Sequence, residues 1–500
     1  MSADGISIMN IVMLFLVSVY AFALLFIFLY SLAQAHLLIR YLKQRHSKRP
    51  EHVPHDESFE PKVTVQLPIY NELYVVERLI DAVAKLDYPK EKLEIQVLDD
   101  STDETIQLIS EKVKQWSDKG IDIVQVRRDE RTGYKAGALK HGLELAKGDF
   151  IAIFDADFVP EPDFIRKTIS SFLDENIGMV QTKWDHINRK HSLLTDLQAF
   201  GLDAHFSVEQ VGRCAGQSFM NFNGTAGIWK KECIIDAGNW SSDTLTEDLD
   251  LSYRAQLKNW KFKYLENVSS PSEIPPVMNA LKSQQYRWTK GGAETARKHL
   301  WNILSSELPI TVKFHALFHL LNSFVFICIG LCAITSLPIM LFKEHLPQYE
   351  LMASLSSGFI FSFIIISAIY FFSNLTREKN LMNGVLGFIK TYPLFLSVSM
   401  GLSIHNSIAV LEGYYGKKTP FIRTPKFNLK KENTNWKSNK YFTGKIGVLS
   451  LFEGLFALIF GLGTWHAVQV SEYGLIPFYI MLCFGFGTVF YYSLYHSKNA

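Results

Sequence analysis

Residues 150–157 read Phe-Ile-Ala-Ile-Phe-Asp-Ala-Asp. Five apolar residues without helical spacing, closed by two carboxylates, describe a buried strand that delivers acids at its carboxyl end. The pattern repeats upstream. Residues 62–67 (KVTVQL), 93–98 (LEIQVL) and 121–126 read as strands, and residues 74–86, 104–119 and 135–146 as helices. Strands alternating with helices of roughly ten to fifteen residues predict an α/β domain with a mostly parallel sheet and helices on both faces. Ligands of such sheets sit beyond the carboxyl ends of the strands. Asp99 and Asp100 fall there after the second strand, and Asp155 and Asp157 after the fourth.

Several carboxylates at one strand end are costly unless they bind something. Asp99 or Asp100 can accept from a base N–H or a ribose hydroxyl, while Ser101, Thr102 and Asp103 equally suit a helix cap. The Asp155-Ala156-Asp157 turn offers oxygen ligands to a hard cation, which can bridge a diphosphate and neutralise a leaving group. Thr246-Glu247-Asp248 opens a helix expected over residues 250–258. The helix dipole favours an ionised carboxylate there, as a general base requires, and a cap explains the same residues. In Gln284-Gln285-Tyr286-Arg287-Trp288 the Arg can bind pyrophosphate and the Trp can stack on a sugar, or the segment is a membrane-surface helix. Lys135 reads as a phosphate or base contact, or as a surface lysine. His315 and His319 stand four apart with no third ligand in view, so no metal is expected there. Neither a P-loop nor a GxSxG elbow is present.

The rest of the chain differs in character. Of 500 residues 48% are hydrophobic, crowded before residue 41 and after residue 301. A net charge of +2 gives no reason to expect a nucleic-acid partner. Five cysteines at scattered positions form no disulfide framework, so the soluble part fits a reducing compartment. Residues 8–32 are long enough to cross a bilayer, and Arg40, Lys43, Arg45, Lys48 and Arg49 follow them. The absence of Lys and Arg from residues 1–10 argues against a cleaved signal, although Ala33-Gln34-Ala35 resembles a cleavage site. Residues 314–342, 351–372, 446–468 and 476–492 are further spans. Residues 385–411 are ambiguous, because they contain Lys390, Pro393, His405 and Asn406 and precede a strongly basic stretch over 412–440. The positive-inside rule favours an interfacial or re-entrant helix there and five spans, the N-terminus outside and the C-terminus inside, with six spans as the alternative. The expected organisation is a membrane helix (1–40), a basic linker (41–60), a cytosolic domain (61–301) and a membrane region (302–500) with a basic cytosolic loop (412–445).

Taken together and in order, PIYNE, LDDSTD, GYKAGAL, FDADF, FNGTAG, TEDLDL and QQYRW resemble the processive family 2 glycosyltransferases, above all cellulose-synthase-like mannan and glucan synthases. The resemblance implies a GT-A-type nucleotide-sugar-binding domain facing the cytosol. It implies that Asp248, beside Glu247, is the catalytic base. Tyr70, Glu72, Asp99, Asp100, Lys135, Asp155 and Asp157 would contact the nucleotide sugar, with Asp155 and Asp157 holding Mg2+ or Mn2+. Gln284, Arg287 and Trp288 would hold the diphosphate and the acceptor, beside Phe222, Asn223 and Gly224. Residues 421–426 lie where such synthases carry a gating loop, with Arg423 replacing a Val of that motif. The implied reaction is inverting transfer of mannose or glucose from GDP-mannose, UDP-glucose or GDP-glucose to a β-linked polysaccharide, in a bacterial inner membrane. A lipid acceptor such as ceramide or a polyprenyl phosphate is the rival, and a transporter or scaffold that merely binds nucleotide sugar is a third reading.

Overall fold

The structure, a computed structural model, describes residues 3–47, 56, 58–343, 358–378, 380–429, 439–441 and 446–498. A long helix, α1 (Ala3–His46), leads to the soluble domain. That domain opens with β1 (Val63–Ile69), α2 (Val76–Val83), β2 (Leu93–Asp99), α3 (Thr105–Ser117), β3 (Asp122–Arg127), α4 (Tyr134–Leu145) and β4 (Phe150–Ile153). It continues with α5 (Phe164–Ile169), β5 (Ile177–His186), α6 (Leu193–Ala204), α7 (Gln210–Ala215), β6 (Gly227–Lys230), α8 (Lys231–Asp236), α9 (Glu247–Leu257), β7 (Lys261–Ser272) and α10 (Met278–Ser305).

The strands form one sheet in the order β3-β2-β1-β4-β6-β5-β7. β1, β2, β3 and β4 run parallel, as do β5 and β7; β6 alone is reversed against both neighbours. Every residue of β2 and β4 is buried, which is why both read as unbroken apolar runs. One face packs α2 and α5 through Val76, Leu79, Phe164 and Ile165; the other packs α4, α8 and α9 through Leu139, Ile234 and Leu251. β5, β6 and β7 are absent from the sequence reading. β6 is four residues long, and β7 reads KFKYLENVSSPS with neither clean alternation nor an apolar run.

Beyond α10 come α11 (Ile310–Leu320), α12 (Phe324–Leu341), α13 (Gly358–Arg377), α14 (Leu381–Gly401), α15 (Ser403–Tyr415), α16 (Val448–Gln469) and α17 (Ile476–Lys498). Among the described residues six helices are long and apolar enough to cross a membrane, α14 among them. The expected span over 314–342 is two helices, interrupted at Asn322 and Ser323, whose side chains bond each other at 3.0 Å. The ambiguous run over 385–411 is likewise two helices, broken at Leu402. There Gly401 and Gly485 let α14 and α17 touch backbone to backbone: a Cβ added at Gly401 would lie 2.3 Å from the Gly485 carbonyl carbon.

Both ends of α14 lie toward the soluble domain. At its start, Gly384 accepts from Asn374, while the neighbouring Ser373 meets Ser207 at 2.9 Å. Just past its end, His405 Nε2 donates to the Lys282 carbonyl of α10 at 2.9 Å. By contrast, α16 and α17 form a hairpin whose turn is pinned by Lys343 to Glu472 at 2.7 Å, on the side where α12 ends. Residues 351–357, part of an expected span, and residues 430–438 and 442–445 of the basic loop lie outside the described residues.

Candidate functional site

The carboxyl ends of β1, β2 and β4 open into a cavity of about 180 Å³, roofed by α9, α10 and the loop after α15. Of the residues singled out in the sequence, Tyr70, Glu72, Asp100, Lys135, Asp155, Asp157, Asn223, Gly224, Glu247, Asp248, Gln284, Arg287 and Trp288 line it.

Two do not. Asp99 is the last residue of β2, and adjacent strand residues face opposite ways. Its carboxylate turns inward, where Arg127 donates at 2.5 Å and Gln125 at 2.8 Å, while Asp100 faces the cavity. Phe222 is fully buried and packs edge-on against Trp229, with ring centroids 5.6 Å apart. The site is therefore served by Asp100 and Asn223, each one residue further along.

At the β2 end Arg128 grips Asp100 through two bonds of 2.5 and 3.0 Å. The Arg131 guanidinium lies 3.4 Å from the Tyr70 ring centroid, making a flat cationic–aromatic wall suited to a planar base. Gly133 (φ +76°) and Tyr134 (φ +50°) turn the chain sharply into α4. That turn aims Lys135 inward, where its ammonium donates to Asp155 at 2.7 Å and to the Gly224 carbonyl at 2.9 Å. Burial opposes the Lys135 charge, but Asp155 and Glu247 outweigh it and hold the ammonium well above the usual lysine range.

Asp248 lies in the first turn of α9, which begins three residues earlier than the periodicity predicts. The Leu249 N–H donates to Asp248 Oδ1 at 2.8 Å. Asp248 Oδ2 lies 3.0 Å from where a Cβ would stand on Gly224, whose φ is +80°. Burial, reinforced by the adjacent Glu247 carboxylate, pushes the Asp248 carboxyl up to about 7. The helix dipole alone predicts the opposite direction; desolvation wins because the carboxyl is packed deep in the site beside a second carboxylate, Glu247.

The loop after α15 completes the site. Lys426 donates to Asp157 at 2.7 Å, and Arg423 pairs with Glu72 at 2.7 Å. Burial pushes Glu72 up to about 7 despite that partner. Thr424 accepts from Arg287 at 2.8 Å, and the Arg287 guanidinium lies 4.7 Å from the Phe421 ring centroid. Burial draws Arg287 below its ordinary value, although Asp155 and Glu247 act against it. The charge partnerships of Arg423 and Lys426 with residues some 270 to 350 positions away carry no local signal. Glu273 and Trp184 also line the cavity, but they sit at the ends of β7 and β5, strands the sequence pattern does not reveal.

Asp155 and Asp157 are oxygen-only ligands at one strand end, each now neutralised by a lysine. Among the described residues no cluster of three or more metal-ligating side chains exists. Two carboxylates suit a cation such as Mg2+, which takes few protein ligands and completes its shell with phosphate oxygens and water.

A family model described as "Glycosyltransferase like family 2" matches residues 61–291. Glucomannan 4-beta-mannosyltransferase 9 of Arabidopsis thaliana is 33% identical over 459 residues, covering 85% of this chain and 80% of that protein. Probable glucomannan 4-beta-mannosyltransferase 4 of Oryza sativa subsp. japonica is 45% identical over 273 residues, 53% of this chain and 49% of that protein. The chain thus spans about half the length of several of the plant relatives it matches. Among solved structures, the mannosyltransferase PcManGT from Pyrobaculum calidifontis, in complex with GDP-Man and Mn2+, aligns with a TM-score of 0.52 at 19% identity. That alignment covers 78% of this chain and all of the other, a likeness of GT-A fold.

Proposed function

Because the chain belongs to the family 2 glycosyltransferases, we propose that it is a membrane-embedded inverting β-mannosyltransferase that extends a polysaccharide from GDP-mannose. The observation that carries this reading is a second cavity of about 570 Å³. It shares Trp184, Asn223, Asp248, Gln284 and Trp288 with the first and continues among α1, α12, α13, α14 and α17. Tyr370, Tyr392, Phe395, Phe326 and Phe478 line it. Such rings stack on the apolar faces of sugars, and a cavity opening from the base toward the membrane suits a product that leaves as a chain. Mannose is supported by the names of the plant relatives and of the archaeal structure, with UDP-glucose and GDP-glucose as the competing donors.

In this mechanism Asp248 takes the proton of the acceptor hydroxyl, whose oxygen attacks the anomeric carbon of the α-linked donor sugar and yields a β linkage. Arg287 holds the departing diphosphate, and Trp288 presents the acceptor at the junction of the two cavities. Asp100, Tyr70 and Arg131 bind the nucleoside. Asp155 and Asp157 would hold Mg2+ or Mn2+, which supplies positive charge to the diphosphate. Lys135, 2.7 Å from Asp155 and 3.7 Å from Glu247, places one positive charge among the carboxylates beside the base.

The same reading takes the chain across the bilayer five times, with α14 returning to the face it left and the soluble domain in the cytosol. The relatives at hand are from plants and lend a bacterial inner membrane no support. Membranes given labelled GDP-mannose test the proposal: the expected product is of high mass and cut by an endo-β-mannanase. An organic-soluble product alone would establish the lipid acceptor. Full nucleotide binding without transfer would establish the mere binder.

A further inference from the structure

Gln284, Arg287 and Trp288 occupy the second and third turns of α10. At 3.6 residues per turn they cluster within about 100° of one another, and Lys282 points to the opposite side. That side meets the membrane hairpin. The Lys282 ammonium donates to Glu453 of α16 at 2.6 Å, to Ser493 of α17 at 2.9 Å and to Ser450 of α16 at 3.3 Å. Its three donors are thus all satisfied. Glu453 is 1% exposed, and its other oxygen has no hydrogen-bond partner among the described residues. A glutamate within an apolar membrane helix, half satisfied, is expensive and marks a task. The hairpin also supplies the start of α10: the Met278 N–H donates to His496 Nδ1 at 3.1 Å.

We propose that Lys282 and Glu453 are positioning residues, a buried ion pair that sets the rotation and height of the Gln284–Trp288 turn against the junction of the two cavities. An apolar contact would hold the helix equally tightly but would let it turn and slide. Three directed bonds from one ammonium do not. The inference rests on the transferase reading, because only there does the placement of Arg287 and Trp288 set a rate.

The test replaces both partners, Lys282→Met with Glu453→Met, in the full chain in nanodiscs. An apolar pair commonly matches or exceeds a buried ion pair in stability. The unfolding temperature is therefore expected to equal or exceed that of the wild type, while polymer synthesis falls at least tenfold, since small misplacements of catalytic groups cost rates of that order. Wild-type stability with wild-type rate would overturn the proposal, leaving the pair a mere fastener. Should the double variant not fold, Glu453→Asp keeps the charge and withdraws it by one methylene. A severalfold slower enzyme with unchanged unfolding temperature is then expected, and an unchanged rate overturns the idea. Wild-type protein run alongside separates the two readings. If it makes no polymer, the transferase reading fails; if it does and the variants match it, only the positioning role falls.

Discussion

Asp248→Asn should make this protein more stable and nearly inactive, and both effects come from one carboxyl. In the folded chain that carboxyl titrates at about 7 instead of its ordinary 3.8, raised by burial and by Glu247. The folded state therefore holds a proton that the unfolded chain has lost between those two values, so stability falls as pH rises through that window and levels off above it. At about 1.4 kcal/mol per tenfold change, the full cost above neutral pH is about 4 kcal/mol, an upper figure because Asp248 lines the cavities, shares its titration with Glu247, and would be offset further by bound metal. An asparagine carries no such cost. The variant should match the wild type near pH 4 and unfold several degrees higher at pH 8, measured by thermal unfolding of purified protein in nanodiscs. Its transfer rate should fall by about 10² to 10⁴, the usual contribution of a general base. In the wild type the rate should climb with pH to a plateau above about 7, because only the ionised base accepts the proton. A variant with full activity would refute the assignment of the base. A stability difference independent of pH would refute the raised carboxyl, whatever the activity.

Three further outcomes follow from the same geometry. Lys426→Met removes the ammonium that neutralises Asp157, so the Mn2+ concentration giving half-maximal activity should drop severalfold; a titration showing no change would contradict competition for that carboxylate. Gly224→Ala places a Cβ 3.0 Å from Asp248 Oδ2 at a φ of +80°, and should cost about 1–2 kcal/mol of stability together with most of the activity, read by denaturation and initial rates. Chelation should abolish transfer and added Mn2+ or Mg2+ restore it; activity surviving exhaustive chelation would remove the metal role of Asp155 and Asp157.

Legibility in the sequence followed locality. β1, β2 and β4 announce themselves because each is a short strand buried on both faces, and the acids after β2 and β4 follow directly; β3, an edge strand with Asp122, Val124 and Arg127 exposed, is legible through its Ile123, Val124 and Val126. β6 and β7 are not, because one is too short for a pattern and the other mixes charge, serine and proline. Asp99 and Phe222 show the limit at single-residue scale. Each neighbours a cavity residue and was read with it, yet alternation along an extended chain sends one side chain to the cavity and its neighbour into the fold. The run over 385–411 has the right composition for an ambiguous segment, but its break at Leu402 falls beside a contact, Gly401 against Gly485, that no local pattern encodes.

From the sequence alone came the α/β class, the membrane helices and the order of the motifs, since strand burial, helix length and turn acids are properties of neighbouring residues. Tertiary structure alone decided which charges meet. Lys426 on Asp157, Arg423 on Glu72 and Lys282 on Glu453 join residues far apart in the chain, and no local periodicity encodes such partners. It also decided the direction in which Asp248 titrates. A helix N-terminus favours the anion and burial disfavours it, and only the packed site shows that burial prevails.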